Sequence, residues 1–483
     1  MSHPRICILG SLEAQLITYL TGHPDGHERA AVVLFRRYHS NIAGLSDSDR
    51  YVAVEVHPFE DDMYTSSSRE HYAFCMQPLR KFYQRCEAEG LVFGIAHNHP
   101  SGIHSFSDRD AENEKTILRG ISNRNGKDIH LVALMLCEGK WYGQVRHGLT
   151  PEIATDVRHI VVLSENMDIH SIQESVRDID EEIWARQAAA FGKPFVAKLK
   201  SLRVAIVGCS GTGGPMVTML ARSGVSDLIL IDQDRLEGSN LNRVRGSKKD
   251  DIGKNKAAIA RDFVHSLGLD AHAVAIDALI DESPDSVDAL ATCDVVFGCT
   301  DDHLGRQALN AAVSIYGIAY IDVGVGGKVA QDANGKPQIV MQKGRVSVVL
   351  PEHGCCLFCQ YVTSTEKARN QQALRDNPDI TEEEKKERYL EGGAEDSPGI
   401  GPFTSSIAEL GIATFYDLVQ PYRQLPQEWS RDHIYIDFLT MKTGSRVSSP
   451  ENGCVYCDTR EAKLKSTNFR LGRPILGEHE IYV

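Results

Sequence analysis

The sequence predicts an α/β protein built from two consecutive domains, of which the second has a Rossmann-like, doubly wound fold. The chain of 483 residues is too long for one ordinary hydrophobic core, so two to three domains are expected. Strand-like and helix-like segments alternate along most of the chain, which is typical of α/β folds. From residue 203 the alternation becomes regular, and this favours a mostly parallel sheet with helices on both faces.

The first domain is predicted over residues 1–150. Apolar runs bounded by polar residues and glycine predict its helices and strands. The strands are predicted at 30–35, 50–56, 91–96 and 129–137, and the helices at 12–20, 78–90 and 107–120. Residues 151–180 are polar and weakly patterned, so they are predicted to form a linker.

The second domain is predicted over residues 181–483. Short apolar runs alternate there with segments of helical periodicity. The strands are predicted at 203–208, 227–232, 271–276, 293–298 and 319–324, and the helices at 214–223, 254–267 and 303–316. The highly charged segment 360–397 interrupts this pattern and is predicted to be a helical, mobile insertion.

Composition and charge exclude several classes of protein. A hydrophobic content of 42% and a charged content of 24% are those of a folded, water-soluble protein. The formal net charge of −14 argues against nucleic acid as the main partner, because phosphate binding needs a basic surface. No apolar run is long enough to span a bilayer, and the first residues lack the pattern of a signal peptide. We therefore expect a cytoplasmic protein that binds neither membranes nor nucleic acid.

The stretch HNHPSGIHSFSDRD, residues 97–110, gathers side chains that bind metals. His97 and His99 end a predicted strand, where alternate side chains point to the same side. A helix that begins near Ser107 can bring Asp110 back to the same point. Two imidazoles and one carboxylate leave a fourth tetrahedral position open, which is the arrangement of a catalytic zinc rather than a structural one.

The spacing H-x-H-P-x6-S-x-x-D resembles that of the JAMM (JAB/MPN) zinc metalloproteases over roughly residues 10–145. The resemblance implies a JAMM-type α/β domain, in which His97, His99 and Asp110 bind zinc. It also implies that Ser107 supports the oxyanion during cleavage. The reaction would be hydrolysis of an amide or isopeptide bond.

The resemblance further implies a glutamate general base on an early strand. Glu28, in the segment HPDGHERAAVVLF, occupies the matching position. Glu55 is the chief alternative to Glu28 as the base. Asp108 is a weaker alternative ligand, because it lies two residues out of register with the pattern.

The stretch VAIVGCSGTGG, residues 204–214, predicts a strand, a glycine-rich turn and a helix. Gly208, Gly211 and Gly213 would let the backbone approach a phosphate, whose charge the helix N-terminus favours. Ser210 takes the place of the usual second glycine, and the turn alone would have NAD as its default ligand. Cys209, inside the turn, is predicted to be a packing residue.

Polar residues farther along the chain indicate a different nucleotide. Asp232 ends the second strand of this domain and suits a ribose hydroxyl. Arg243 and Lys256 would neutralise the charge that grows on a triphosphate when its α-phosphate is attacked. Asp301 could hold the accompanying Mg²⁺. A dehydrogenase has no need of Asn240, Arg243 and Lys256 in a phosphate cradle, whereas an enzyme that attacks the α-phosphate of ATP does.

This set resembles the E1-like adenylating enzymes, the family of ubiquitin-activating and MoeB/ThiF proteins, over roughly residues 180–460. The resemblance implies an ATP-dependent adenylyltransferase. Asp232 would be the ribose ligand, and Asp301 the metal-linked residue. Phosphate contacts would come from Asn240, Arg243 and Lys256.

Two further features fit this family. Arg186, in the segment IWARQAAAFGKPFVAKLKSLRVAIVG, matches an arginine that reaches into the ATP site of a partner subunit, which implies a homodimer. Two CxxC pairs predict a four-cysteine structural zinc site. These cysteines are Cys356, Cys359, Cys454 and Cys457.

The chain departs from this family in one respect. Family members that form a thioester carry a cysteine after the first CxxC pair, whereas residues 360–453 contain none. Cys355 is spare, but it adjoins a predicted zinc ligand and would be constrained. A thioester is therefore in doubt. Adenylation is preferred, with transfer to a partner's nucleophile, such as that of an E2-like protein, or to a hydroxyl group as an ester.

Both families act on the C-terminal glycine of ubiquitin-like proteins. The sequence therefore predicts a bifunctional enzyme that processes or deconjugates such a protein and also adenylates its terminal glycine. Its cofactors would be ATP, Mg²⁺, one catalytic zinc and one structural zinc. The alternative is sulfur-carrier activation, in which the glycine becomes a thiocarboxylate for cofactor or cysteine biosynthesis.

Overall fold

The computed structural model of the chain describes residues 3–45, 49–170, 182–377, 379, 381, 399–460, 469–470 and 473–474. The chain divides into two units, each with its own sheet. The first unit comprises Met1–Ile179 with Leu464–Phe469, and the second comprises Asp180–Lys463 with Arg470–Val483.

The described part of the first unit contains one mixed sheet, whose strands lie in the order β11-β10-β1-β3-β2-β6-β7-β8-β9. Its strands are β1 (Arg5–Leu9), β2 (Ala30–Tyr38), β3 (Arg50–Pro58), β6 (Val92–Asn98), β7 (His130–Cys137), β8 (Lys140–His147), β9 (Thr150–Asp156), β10 (His159–Leu163) and β11 (Met167–His170). A separate hairpin consists of β4 (Tyr64–Ser67) and β5 (Tyr72–Phe74). The helices are α1 (Gly10–Leu20), α2 (Arg80–Glu89) and α3 (Asp108–Asn125).

Strand β6 is the element that positions the first site. It lies between β2, which is antiparallel to it, and β7, which is parallel. Most of its residues are buried, so its register with both neighbours is fixed by packing on the two faces. His97, near the end of β6, is paired with Ala30 at the start of β2. Residues just before β2 are therefore brought next to the end of β6.

The structure differs from the predicted linker at residues 151–180. Strands β9, β10 and β11 fall within its described part, and the first unit extends to Ile179. Strand β9 lies at the edge of the sheet and is mostly exposed, so its sequence is polar. Strand β10 is fully buried beside β1, but its apolar run is only a few residues long and gives a weak signal. Residues 171–181 lie outside the described residues.

The second unit contains the doubly wound sheet, with strands in the order β14-β13-β12-β15-β16-β17-β18-β19 in the described residues. Its strands are β12 (Arg203–Val207), β13 (Asp227–Ile231), β14 (His272–Ile276), β15 (Val295–Gly298), β16 (Ala319–Gln331), β17 (Pro337–Val349), β18 (His433–Asp437) and β19 (Lys442–Ser445). Its helices are α4 (Ala185–Phe191), α5 (Lys193–Ser201), α6 (Gly213–Arg222), α7 (Lys256–Ser266), α8 (Pro284–Ala291), α9 (His303–Tyr316), α10 (Thr365–Asp376) and α11 (Gly401–Val419). A further short pair is formed by β20 (Phe469–Arg470) and β21 (Arg473–Pro474).

Strands β14, β13, β12, β15 and β16 are parallel, and β17 to β19 extend the sheet in antiparallel fashion. The α/β class and the Rossmann-like character predicted for this part of the chain are thus confirmed. The chain reverses direction across the sheet between β13 and β15, on the two sides of β12. In open sheets of this kind, ligands bind in the crevice beyond the carboxyl ends of the strands at that point.

The predicted charged insertion is described only in its first part. Residues 365–376 form helix α10, as the helical prediction requires. Residues 378, 380 and 382–398 lie outside the described residues. In the described part of the chain, no helix is long and apolar enough to cross a bilayer.

Two candidate functional sites

The first site is built where β6 ends and α3 begins. The Nε2 atoms of His97 and His99 lie 3.1 Å apart. Asp110, in the first turn of α3, places Oδ1 at 3.2 Å from Nε2 of His97 and Oδ2 at 3.3 Å from Nε2 of His99. All three side chains are buried. The three residues that the sequence predicted as ligands therefore meet at one point.

The geometry of these atoms fits a zinc ion. Zinc–nitrogen and zinc–oxygen bonds near 2.0–2.1 Å in a tetrahedron place neighbouring ligand atoms about 3.3 Å apart. The three observed separations, 3.1, 3.2 and 3.3 Å, agree with that spacing. Nδ1 of His99 lies 2.8 Å from the carbonyl oxygen of Ile103, which fixes the ring with Nε2 facing the other two ligands. The pKa of the Asp110 carboxyl lies well below its usual range, because its contacts with both imidazoles outweigh burial.

Ser107 is the N-cap residue of α3. Its Oγ donates to Oδ2 of Asp110 at 2.7 Å and accepts the backbone N–H of Asp110 at 3.2 Å. The backbone N–H of Ser107 also donates to Oδ2 of Asp110, which completes a capping box. Ser107 thus orients the carboxylate of Asp110.

Glu28 lies directly before β2, next to the end of β6. The backbone N–H of Arg29 donates to Oδ1 of Asn98, the residue between the two histidines, at 2.7 Å. Glu28 itself is 3% exposed. Burial raises its pKa to about 7, although the nearby His97 and His99 act in the opposite direction. A carboxylate with a pKa in this range suits a general base at neutral pH.

Glu55, the alternative base, is held in an ion pair. Oε2 and Oε1 of Glu55 accept from the guanidinium of Arg85 at 2.7 and 3.0 Å, and His57 lies 3.0 Å away. Arg85 lowers the pKa of Glu55 to about 2. A carboxylate this acidic and already paired is a poor proton acceptor, so the structure favours Glu28.

A third group of possible metal ligands in the described residues consists of Asp128, His130 and His147. Nδ1 of His147 accepts the backbone N–H of Leu149 at 3.2 Å. The proton of the neutral His147 ring then resides on Nε2, which faces Oδ1 of Asp128 at 3.1 Å. These contacts describe a hydrogen-bonded surface pair rather than a metal centre.

The second site is a cleft of about 750 Å³ in the second unit, at the carboxyl ends of the parallel strands. The residues that line it include six that the sequence singled out for nucleotide binding. They are Gly208, Gly211, Asp232, Arg243, Lys256 and Asp301. These six residues come from three separate strand–helix connections, those that follow β12, β13 and β15.

The glycine-rich turn between β12 and α6 is possible only with glycine at two positions. Gly208 has a φ of +91°, in the region that other residues rarely adopt. A Cβ atom on Gly213 would lie 1.8 Å from the carbonyl oxygen of Gly208. The turn therefore folds back on itself at the start of α6, where backbone N–H groups can face a phosphate.

Replacing Gly213 with alanine is expected to open the turn, because a backbone oxygen must move to admit the new methyl group. We expect a loss of about 1–3 kcal/mol in the free energy of unfolding and a weakened affinity for ATP. Thermal unfolding and equilibrium ATP binding would measure the two effects. Gly238→Ala is the matched control, because its Cβ would meet no atom closer than 4.0 Å. Equal behaviour of the two variants would contradict this account of the turn.

Asp232 and Lys256 lie at the centre of the cleft. The carboxylate oxygens of Asp232 accept the backbone N–H groups of Cys209 and Asp234 at 2.6 and 2.8 Å. Nζ of Lys256 lies 2.8 Å from Oδ2 of Asp234 and is largely buried. The side chain of Asn255 caps α7, whose first residue is Lys256, and its Nδ2 donates to the carbonyl oxygen of Asp232. Asn255 thereby holds the start of α7 next to Asp232.

The remaining predicted residues are placed differently. Arg243 is half-buried, and its Nη1 donates to the carbonyl oxygen of Ser239 at 2.8 Å. Asp301 is exposed at the cleft. Asn240 forms part of a capping box with Glu237 and is not among the residues that line the cleft. Arg186 is exposed on α4 and likewise does not line the cleft of its own chain.

Sequence reasoning missed a buried cationic group beside the cleft. Arg306 lines the cleft, and its Nε lies 3.3 Å from Oδ2 of Asp322. Nη2 of Arg345 lies 2.6 Å from Oδ1 of the same carboxylate. Helix α10 also borders the cleft, because Gln371 lines it and accepts the backbone N–H of His303, the first residue of α9, at 2.6 Å. The only sequence signal was Asp322 within the apolar strand β16, since a buried carboxylate needs a cationic partner.

The four predicted zinc cysteines converge in the second unit. The Sγ atom of Cys356 lies 3.8 Å from that of Cys359 and 3.6 Å from that of Cys454. The distance between Cys359 and Cys457 is 3.9 Å. Zinc–sulfur bonds near 2.3 Å in a tetrahedron predict about 3.8 Å between sulfur atoms. The backbone N–H groups of Cys356 and Glu451 donate to two of these sulfurs, as expected around thiolates.

Comparison with known protein families gives a match within the second unit. The model of the ThiF family matches residues 184–454. The SAMP-activating enzyme E1 of Haloferax volcanii is 31% identical over 163 residues, which are 33% of this chain and 55% of that protein. The sulfur carrier protein ThiS adenylyltransferase of Escherichia coli is 35% identical over 115 residues, or 24% of this chain and 45% of that protein. The adenylyltransferase and sulfurtransferase MOCS3 of Caenorhabditis briggsae is 32% identical over 120 residues, or 25% and 30%.

The chain spans about half the length of the first two of these curated relatives and less of the third. The family model, in contrast, covers more than half of the 483 residues and includes the cleft, the glycine-rich turn and three of the four clustered cysteines. The chain therefore belongs to the ThiF family.

Proposed function

We propose that the second unit adenylates the C-terminal carboxylate of a small ubiquitin-like or sulfur-carrier protein. The observation that carries this proposal is the cleft, which combines a glycine-rich turn with Arg243, Lys256 and Asp301. Membership of the ThiF family and the names of the relatives support it.

In the proposed reaction, a carboxylate oxygen of the carrier protein attacks the α-phosphorus of ATP. A bond forms between that oxygen and phosphorus, the bond to the β-phosphate breaks, and pyrophosphate leaves. Arg243 and Lys256 stabilise the charge that develops on the phosphates. Asp232 binds the ribose, and Asp301 offers a carboxylate to Mg²⁺, which when bound neutralises phosphate charge.

The acyl-adenylate would then pass to a nucleophile outside this chain. Cys355 is 1% exposed, and burial raises the pKa of its thiol to about 12. Burial also raises the pKa of the Cys209 thiol well above its usual value. Neither cysteine is therefore a ready nucleophile at neutral pH. An E2-like protein or a sulfur donor is the kind of partner that this requires.

Among the possible products, we favour the thiocarboxylate of a sulfur carrier over a protein conjugate. The residue pattern alone favours these two products in the opposite order. The relatives include an adenylyltransferase of a sulfur carrier and an adenylyltransferase that is also a sulfurtransferase, which supports the change. Intact mass spectrometry of the carrier distinguishes the two, because a thiocarboxylate replaces one oxygen with sulfur whereas a conjugate adds a whole acceptor.

ATP–pyrophosphate exchange tests the adenylation directly. Purified protein is incubated with labelled pyrophosphate, ATP and a ubiquitin-like protein that ends in glycine. We expect exchange that depends on the free terminal carboxylate. If no ubiquitin-like protein of the source organism that ends in glycine supports exchange, the proposal is wrong.

For the first unit we propose a zinc metallopeptidase of the JAMM type, a function that rests on the geometry of its site alone. His97, His99 and Asp110 would hold the ion. When bound, zinc would polarise the carbonyl of the scissile amide and lower the pKa of a water molecule. Glu28 would take a proton from the attacking water and deliver it to the leaving amine. The substrate would be a ubiquitin-like protein extended or conjugated through its terminal glycine.

The number of bound zinc ions tests both metal sites. We expect two zinc ions per chain by elemental analysis. The double variant C454S/C457S should retain one ion and unfold at a lower temperature, because an ion that binds only the folded state at 1,000 times its Kd contributes about 4 kcal/mol. The double variant H97A/H99A should also retain one ion. One ion in the wild type, or two in either variant, would contradict the assignment.

Arg186 bears on the proposed homodimer. Its exposure, and its absence from the lining of its own cleft, suit a side chain that serves the cleft of a second subunit. We therefore propose a two-fold dimer with Arg186 shared between subunits.

A further inference from the structure

Two guanidinium groups share one buried carboxylate beside the cleft of the second unit. Asp322, on β16, is fully buried. Its Oδ2 lies 3.3 Å from Nε of Arg306, and its Oδ1 lies 2.6 Å from Nη2 of Arg345. Tyr320 Oη also donates to Oδ2 of Asp322, at 2.6 Å. A buried carboxylate needs one cationic partner, so this group carries one positive charge more than Asp322 requires.

The additional charge is available on Arg306, because Arg306 lines the cleft and Arg345 is not among the lining residues. Arg306 is 8% exposed. Its Nε donates to Asp322, and its Nη1 donates to the carbonyl oxygen of Asp301 at 3.3 Å. Within the described part of the chain, its Nη2 donates to no group. A guanidinium is always charged and has five N–H donors, so the two on Nη2 remain for a ligand in the cleft.

A second arginine of the cleft is fully engaged by the protein. Arg375, on α10, also lines the cleft. It contacts three carboxylates at 2.7, 3.2 and 3.2 Å, those of Asp281, Glu282 and Asp302. Its positive charge is therefore neutralised by acidic side chains of the protein itself. In this respect Arg375 differs from Arg306, which shares a single carboxylate with another arginine.

Arg306 lies at the end of the cleft opposite to the proposed ribose ligand. In the sheet, β13 lies on one side of β12, and β15 and β16 lie on the other. Asp232 and Lys256 follow β13, whereas Arg306 follows β15 and is bonded to Asp322 of β16. With the ribose at Asp232, the second substrate must approach the α-phosphate from the side of β16. Arg306 is the buried cation on that side.

The edge of β16 leaves room for such a substrate. The pairing of β15 with β16 ends at Gly298 and Asp322. From Val323 onward, the strand pairs that the described residues show for β16 are with β17 alone. Residues 323–328 line the cleft and include three glycines. A Cβ atom on Gly326 would meet no atom within 4 Å, so the space beside this strand is open to a narrow chain end.

We propose that Arg306 binds the terminal carboxylate of the carrier protein and presents it to ATP. This inference rests on the proposed adenylation. The charge of Arg306 would hold an anion next to a triphosphate that repels it. One carboxylate oxygen accepts hydrogen bonds from Nη2, and the other attacks the α-phosphorus. The oxygen that is held becomes the carbonyl oxygen of the acyl-adenylate, while Arg306 forms no covalent bond and keeps its protons.

Binding of two forms of one carrier to the full-length protein tests the inference. The carrier is a ubiquitin-like protein ending in glycine that supports pyrophosphate exchange by the wild type, prepared with a terminal carboxylate or a terminal carboxamide. Calorimetric titration is performed with an ATP analogue whose α,β-bridging oxygen is replaced by methylene. Wild type should bind the carboxylate form about 10–100-fold more tightly, the range of a hydrogen bond to a charged group. Arg306→Gln should bind both forms equally and bind the ATP analogue as wild type does.

Arg345→Gln is the matched control. It removes the other guanidinium from Asp322, outside the residues that line the cleft, and each variant leaves Asp322 one cationic partner. Arg345→Gln should keep the preference for the carboxylate form within a few-fold of wild type.

Three results would overturn the inference while exchange by the wild type still supports the proposed function. Wild type binds both forms equally, Arg306→Gln keeps the full preference for the carboxylate form, or Arg345→Gln loses as much of it as Arg306→Gln. If no ubiquitin-like protein ending in glycine supports exchange by the wild type, the inference and the proposed function are both wrong.

Discussion

Glu28→Gln is expected to reduce peptide cleavage by about 10²–10⁴-fold, the range that a positioned general base contributes. Glutamine has nearly the same shape, so the pairing of β2 with β6 and the three proposed zinc ligands should be preserved. The side chain loses its negative charge and, with it, the ability to accept a proton. Zinc content, thermal stability and ATP–pyrophosphate exchange should therefore remain at wild-type values, and cleavage of a carrier–reporter fusion is the measured quantity.

Glu55→Gln supplies the matched control for this experiment. It removes the same charge from the neighbouring strand, but there the carboxylate pairs with Arg85 and His57. Stability should fall somewhat, whereas cleavage per folded molecule should be unaffected. If Glu55→Gln loses cleavage and Glu28→Gln does not, the assignment of the base is reversed.

Lys256→Ala and Arg243→Ala are each expected to reduce ATP–pyrophosphate exchange by about 10²–10³-fold, because each removes a cation proposed to stabilise developing phosphate charge. For Lys256, the loss also leaves Asp234 in the cleft without its partner, which adds repulsion toward the phosphates. Peptide cleavage in the first unit should not change. Exchange rates at saturating ATP, with cleavage measured on the same preparations, test this directly.

The chain offers controls two residues away from each of these positions. Lys254 is exposed and pairs with Asp251, and Arg245 pairs with Glu409 outside the cleft lining. Lys254→Ala and Arg245→Ala should keep exchange within a few-fold of wild type. Equal losses in the control variants would mean that general surface charge, rather than the cleft, controls the reaction.

The first site was predictable to the extent that its ligands are local in sequence. His97, His99 and Asp110 lie on one strand, one turn and one helix, so their spacing is sufficient to bring them together. Glu28 depends on the register of β2 against β6, which sequence pattern alone does not define.

The fold of the second unit followed from its regular alternation of strands and helices, and the glycine-rich turn follows from steric limits at Gly208 and Gly213. Arg306 and Arg345 escaped notice because buried ion pairs join residues far apart in the chain. The prediction of a linker after residue 150 is wrong for its described part, since an exposed edge strand has the composition of a loop.

If the two proposed sites act on the same glycine tail, an extended carrier must be cleaved before it can be adenylated, and a coupled assay measures that order. Each small ubiquitin-like protein of the source organism is prepared in two forms, one ending in glycine and one extended beyond it, and pyrophosphate exchange is followed with wild-type and Glu28→Gln enzyme. For at least one such protein, wild type should support exchange with both forms, whereas Glu28→Gln should support it only with the form that already ends in glycine. Exchange by Glu28→Gln with the extended form would contradict the account.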